Sequence, residues 1–148
     1  MRILGVDYGH KRIGLALSDE SGTIAHALDY IDGGAVAKVS VKVARLSAEL
    51  KVGKIVVGVP LRLDGTSSEQ TKRTRAFIVE LHRATTIPVT QYHEWLTSVQ
   101  AERVLLEGNV RRSERKQKID KLAAQIMLQS YLDWQSYRDA TNPPPDET

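Results

Sequence analysis

The stretch that most constrains this chain is Ile3 to Ser18, ILGVDYGHKRIGLALS, in which an apolar run ends on a single acid and a glycine-flanked turn. Ile3, Leu4 and Val6 form the short apolar run of a strand covered on both faces. Ile13, Leu15 and Leu17 alternate with Gly14, Ala16 and Ser18 in the pattern of a half-buried strand. Between them, Asp7-Tyr8-Gly9-His10-Lys11-Arg12 reads as a hairpin connection with Gly9 free to take positive φ. An acid at a strand end among small residues leaves room for a metal ion or a phosphate to approach the backbone. Asp is equally a common turn former, so both roles stand open for Asp7 at this point.

A hairpin cannot bury its faces alone, and the rest of the chain supplies what covers it. Thr23 to Tyr30 is expected as a third strand, paired with the second across the turn Asp19-Glu20-Ser21-Gly22. Val36, Val39, Val43, Leu46 and Leu50 recur at helical spacing, and that period outweighs the low helix propensity of the valines, so a helix is expected through Lys51. Lys54 to Val59 reads as a buried parallel strand, and after the loop Pro60 to Thr66 either Ser67 or Ser68 can cap a helix from Glu69 to Arg83. Ile87 to Tyr92 is a fifth strand that ends at His93-Glu94. Thr97 or Ser98 caps a further helix, stopped by Gly108. Asn109 to Lys118 is expected as a polar, mobile connection, followed by a last helix from Ile119 towards Tyr137. The order predicts an α/β fold: a five-stranded mixed sheet, three antiparallel hairpin strands extended by two parallel ones, with helices on both faces. Residues 1–140 are expected as one domain, and the tail 141–148 as disordered.

Charge narrows the partners. The net charge is only +3, but the pI near 9.2 and the clustering of Lys and Arg lean towards a polyanion. With no cysteine the chain has no disulfide or thiolate metal site. No apolar run approaches a membrane span, and Met1-Arg2-Ile3 leads straight into a strand, so a soluble, unprocessed, cytoplasmic protein is expected.

Strand ends converge at one edge of such a sheet, so Asp7 and Glu94 can be neighbours, with Asp120 at the start of the last helix as a third candidate. Lys11 and Arg12 either hold a phosphate or form a solvated hairpin tip. Asp64 and Thr66 make a turn and a cap, or touch substrate at the same edge, and one of Arg73 and Arg75 can face it. His93 can accept or relay a proton or serve as a surface hydrogen bonder. Tyr8, Tyr92 and Trp95 can stack on unpaired bases or pack at the rim. Arg111, Arg112, Arg115, Lys116 and Lys118 lead directly into Asp120, and Lys121 follows it, as a phosphate clamp or as a solvated run.

Four motifs then add a resemblance that covers nearly the whole chain. Asp7-Tyr8-Gly9…Lys11-Arg12-Ile13-Gly14…Ala16, Gly58-Val59-Pro60…Asp64-Gly65-Thr66, Glu94…Leu96-Thr97-Ser98…Ala101-Glu102-Arg103 and Lys118-Ile119-Asp120…Ala123-Ala124 together resemble the YqgF family, also called RuvX or the pre-16S rRNA nuclease family. The resemblance implies an RNase H-like, RuvC-like fold and a metal-dependent nuclease in ribosomal RNA maturation, with a link to Holliday-junction resolution. The matching acids are Asp7, Glu94 and Asp120. They would be catalytic and would hold two Mg²⁺ or Mn²⁺ ions, since hard cations choose carboxylate oxygens. Implied partners are precursor rRNA, or branched or single-stranded DNA, met by a monomer or a homodimer. The chain departs from the family pattern at His93-Glu94-Trp95, where Asp-Glu-Arg is usual, and at Asp120-Lys121, where Asp-Ser is common. A nucleic-acid-binding module of weak catalysis and a phosphotransferase of the actin-like type are the alternative classes.

Overall fold

Alternation in the first eighteen residues produces two antiparallel strands, β1 (Ile3–Tyr8) and β2 (Arg12–Ser18), with Val6 opposite Leu15 and Asp7 opposite Gly14. The structure, a computed structural model, describes residues 1–62, 64–94 and 112–141. β3 (Ala25–Asp32) pairs antiparallel with β2, and the register shifts between Ile13 and Leu15. It begins two residues later than the pattern suggests. Asp19 Oδ1 accepts from the amides of Thr23 and Ile24, at 2.8 and 3.1 Å, so both amides are spent on the turn instead of the ladder. β4 (Lys54–Pro60) runs parallel to β1, and β5 (Val89–Glu94) parallel to β4. β5 also starts two residues late, because Pro88 has no N–H to give to a ladder. The sheet order is β3-β2-β1-β4-β5, the mixed five-stranded sheet expected.

Each face of the sheet carries its own core. On one face Leu4, Val6, Ile13, Leu15, Ile55, Val57 and Val59 meet α1 (Val36–Glu49) and α2 (Glu69–Ala84) through Val39, Val43, Phe77, Ile78 and Leu81. A valine in a helix costs up to about 0.7 kcal/mol against alanine. Full burial stabilises it by roughly 1.5–3 kcal/mol, so the apolar stripe decides for helix. α1 stops two residues short of Lys51, which takes a left-handed conformation at φ 54.

The other face is built small. Ala16, Ala25 and Val56 pack under Ala124, Met127, Leu128, Tyr131 and Leu132 of α3 (Arg112–Thr141). Gly14, Ala16 and Ser18 are buried, so β2 is covered on both faces and the half-buried reading of its alternation is corrected. Its small residues are the seat of a helix, not a solvent face. Ser18 stays satisfied there, since its Oγ accepts from the Ile3 amide at 2.8 Å and donates to the Asp19 carbonyl at 2.9 Å.

A second correction concerns the run before Asp120. α3 begins at Arg112, so residues 112–118 are helical and not a polar connection. Arg, Lys, Gln and Glu are good helix formers, and no Gly or Pro interrupts the chain from 112 to 141. The apolar period begins only later, which is why the pattern hides the first turns. α3 also takes in Thr141, the first residue of the expected tail. Residues 142–148, and the expected helix between Thr97 and Gly108, lie outside the described residues. Among the described residues no helix is long and apolar enough to cross a membrane.

Candidate active site

Because β1, β4 and β5 are parallel, their carboxyl ends share one edge, and α2 opens at that same edge. Asp7 stands there, half-buried, one residue before the end of β1. The backbone beside it is held on two sides. Gln70 Nε2 donates to the Tyr8 carbonyl, and the Tyr8 ring stacks on buried Phe77 at 4.6 Å between centroids and 15° between planes. The first turn of α2 is itself pinned. Ser68 and Thr71 form a reciprocal capping box, and Thr71 Oγ1 donates to the carbonyl of Pro60 at the end of β4. Two adjacent residues of one helix thus tie the ends of two parallel strands together. Neither stood out in the sequence, where only the serine cap was visible.

Gly9 follows, but not in the expected conformation: its φ is not positive. Glycine is required there because a Cβ would fall 2.3 Å from the Arg12 carbonyl oxygen. The hairpin closes tightly and rests on Gly33, whose amide donates to the Lys11 carbonyl at 2.8 Å.

The other two acids reach the edge through their backbones. Glu94 is the last residue of β5, in register with Pro60. It belongs to the strand and does not follow it. Asp120 lies in α3, which runs antiparallel to β1: Leu128 sits over Gly5, while Leu132 and Ile3 border the same cavity further down. Eight residues before Leu128 is about 12 Å up the helix axis, and Asp7 is about 7 Å beyond Gly5 along β1. The helical turn of Asp120 therefore stands above the end of β1. The side chains of Glu94 and Asp120 are outside the described residues, as are those of Arg112, Arg115, Lys116, Lys118 and Lys121. Arg111 and Trp95 lie wholly outside them.

Among the described side chains no group of three His, Cys, Asp or Glu is placed to hold a metal. Asp7 is the one candidate acid whose side chain the structure describes. Its position fits a hard cation: a carboxylate one residue before the end of β1, at the edge that β4 and β5 share.

The remaining candidates separate. Asp64 makes its own turn: its Oδ1 accepts from the Thr66 hydroxyl at 2.6 Å and amide at 2.9 Å, and Gly65 turns at φ 84. The Thr66 hydroxyl, then the Thr66 amide, hold the exposed Asp64 carboxyl below its usual range. Arg75 is exposed and donates to Ser67 Oγ at 3.0 Å beside the helix cap, and Arg73 is exposed too. Lys11 is exposed at the hairpin tip, whereas the Arg12 guanidinium lies 5.2 Å over the Tyr30 ring, on the β3 side. His93 is exposed on β5, and Tyr92 packs against α3.

Residues 1–134 match the family described as "RuvX: Holliday junction resolvase". A protein of Thermoanaerobacter pseudethanolicus, named a candidate pre-16S rRNA nuclease, is 43% identical over 136 residues, which is 91% of this chain and 98% of that one. A protein of the same name from Syntrophus aciditrophicus is 44% identical over 133 residues, 90% of this chain and 89% of the relative. Among solved structures, Thermus thermophilus RuvC in complex with Holliday junction substrate aligns at TM-score 0.58 and 18% identity, over 93% of this chain and 96% of that one. The Fowlpox virus resolvase complexed with Holliday junction DNA aligns at TM-score 0.53 and 13% identity, over 91% and 99%. At those identities the likeness is one of fold, the RuvC-like form of the RNase H architecture.

Proposed function

This chain belongs to the RuvX family, a family of nucleases, and from that premise we propose that it is a divalent-metal-dependent nuclease. Its substrate is structured RNA, and its task is maturation of the 5′ end of 16S rRNA in the cytoplasm. The observation that carries this reading is Asp7 at the carboxyl edge of the sheet, in a chain 43% identical to a relative named for pre-16S rRNA.

Asp7, Glu94 and Asp120 would hold Mg²⁺ or Mn²⁺. Bound there, such ions supply a deprotonated water and charge for the leaving oxygen. The rest falls to the chain. Gln70 and Phe77 keep the end of β1 from swinging, so the Asp7 carboxylate meets its ligand already oriented. Lys11, on the hairpin next to Asp7, is free to neutralise a backbone phosphate. The cations of residues 111–118 precede Asp120 and would draw a strand toward it; among them Arg112, Arg115, Lys116 and Lys118 are presented on a helix. Arg12, Asp64, Thr66 and Arg75 are weaker substrate contacts, since each already has a partner within the protein.

A second reading, cleavage of four-way DNA junctions, is favoured by the family description and the two resolvase neighbours. One assay separates them. Labelled ribosomal precursor RNA, single strands and four-way junctions are incubated side by side with Mg²⁺. Cutting of the precursor in preference to the junction is expected. Cutting of the junction alone would replace the RNA reading, and binding without cutting would mean a binding module.

A further inference from the structure

We propose that the flank of α3 beside β5 is a stacking platform for the unpaired bases of a nucleic-acid strand, formed by Tyr92, Trp134 and Tyr137 with Arg138 and Lys54 as its cations. It rests on the reading that this chain handles nucleic acid, and adds where an unpaired segment would lie.

Packing explains only half of this cluster. Tyr131 is buried at 2% exposure, and Tyr92 meets it edge-on at 5.5 Å while its hydroxyl bonds Ser130 at 2.8 Å. Trp134 and Tyr137 are different: they remain 45% and 70% exposed one helical turn apart. Trp134 is nevertheless held in place, with its ring 6.2 Å from Tyr92 and 6.1 Å from Tyr131. A large ring that is fixed yet open to solvent is preorganised for stacking, since little side-chain freedom is lost when a base arrives.

Charge selects the occupant. The Arg138 guanidinium lies 5.2 Å over the Trp134 ring, and Lys54 Nζ lies 5.4 Å from the Tyr131 ring and 2.8 Å from its hydroxyl. Of the acids at this end of α3, Asp139 and Asp133 border a cavity with Met1, Gly22 and Thr23, and Asp133 Oδ1 accepts from Gln129 Nε2 at 2.9 Å. Rings interleaved with cations suit a strand whose bases and phosphates alternate. When a base takes the ring of Trp134, the Arg138 guanidinium can move outward to a phosphate, a contact its planar fork matches. A duplex does not fit, because its bases are already stacked on one another.

The platform is also continuous with the candidate site. Tyr92 stands two residues before Glu94 on β5, so a strand entering the edge at Glu94 can run on over Tyr92 to Trp134 and Tyr137. Stacking of this kind tolerates any sequence.

The test measures binding in EDTA, so that cleavage does not intervene, with a short labelled single strand and the matching duplex. Trp134→Leu and Tyr137→Ser should each weaken single-strand binding roughly tenfold and leave duplex binding within about twofold. Trp134→Phe, which keeps a ring, should restore most of the loss. Melting curves confirm folding, and Tyr137→Ser disturbs little packing in any case. In a Trp95→Phe protein the remaining tryptophan, Trp134, should be quenched by the single strand. Equal losses on both substrates, no loss on either, or no quenching would overturn the platform while leaving the nuclease reading intact. Wild-type protein that binds neither substrate would overturn both. A concentration-dependent dimer dispersed by Trp134→Leu would overturn it in favour of a contact between copies of the chain.

Discussion

Gly5 carries a quantitative consequence of the way α3 sits on the sheet. It lies mid-strand in β1, opposite Ala16 on one side and Val56 on the other. A Cβ added there would lie 2.9 Å from Leu128 Cβ and 3.3 Å from its Cγ and Cδ2. The Leu128 Cβ is fixed to the helix backbone, so no rotamer change relieves the closest contact and the helix must lift. Overpacking of this sort costs about 1–3 kcal/mol. Gly→Ala also removes freedom from the unfolded chain, which stabilises by about 0.4–1 kcal/mol. The clash wins, and Gly5→Ala should lose about 1–2 kcal/mol net, a fall in Tm of roughly 3–8 °C for a chain of this size. Urea unfolding should show a lower midpoint at unchanged slope. The lift also separates the turn of Asp120 from Asp7, so kcat should fall by about an order of magnitude or more while the protein remains folded. A Gly5→Ala protein as stable as wild type, or more stable, would refute this close approach of α3 to β1.

Three further outcomes follow from the same structure. Mg²⁺ or Mn²⁺ should support cleavage and EDTA abolish it, with Mn²⁺ tolerated better; full activity in EDTA would exclude a metal mechanism. Arg112→Gln, Arg115→Gln and Lys116→Gln together keep helix propensity but remove three cations. If each meets a phosphate, the slope of log K against log salt on single strands should flatten by roughly two units, at about 0.7 per contact, and an unchanged slope would mark the run as solvated surface. Asp19 supplies the pH test. Hydrogen bonds from the Ser21 hydroxyl and the Thr23 and Ile24 amides push its carboxyl down to about 2. A depressed folded pKa stabilises above the unfolded value and loses that contribution as pH falls through the folded one. The stability gap between wild type and Asp19→Ala, measured by urea titration, should therefore be full above about pH 4 and close as the pH approaches 2.

Most of the architecture was legible because it rests on strong periodicities. The apolar run of β1, the Val39 and Val43 stripe of α1 and the apolar run of β4 each announce which faces they bury, whereas the alternation of β2 announces only one of its two buried faces. The errors fall where local chemistry overrides pattern. The carboxylate of Asp19 shortens β3 and Pro88 shortens β5, both through amides that the ladder does not get. Arg112 to Lys118 was hidden because a helix without an apolar stripe has no period to detect, although its residues favour helix throughout. At the site, Asp7 was visible as an acid at a strand end. Gln70, Thr71 and Phe77 were not, because their roles are contacts between α2 and the ends of β1 and β4, which no spacing in the sequence encodes.

The central claim is that Asp7 makes this sheet edge a phosphodiesterase, and Asp7→Asn tests it most directly. The amide keeps the shape of the carboxylate and the backbone bond from Gln70 to Tyr8, but not the charge that holds a cation. Cleavage of labelled ribosomal precursor RNA is measured in Mg²⁺ alongside binding of the same RNA in EDTA and a melting curve. The account predicts that cleavage is abolished while binding and Tm stay close to wild type. Cleavage at the wild-type rate by a purified, folded Asp7→Asn protein would contradict it.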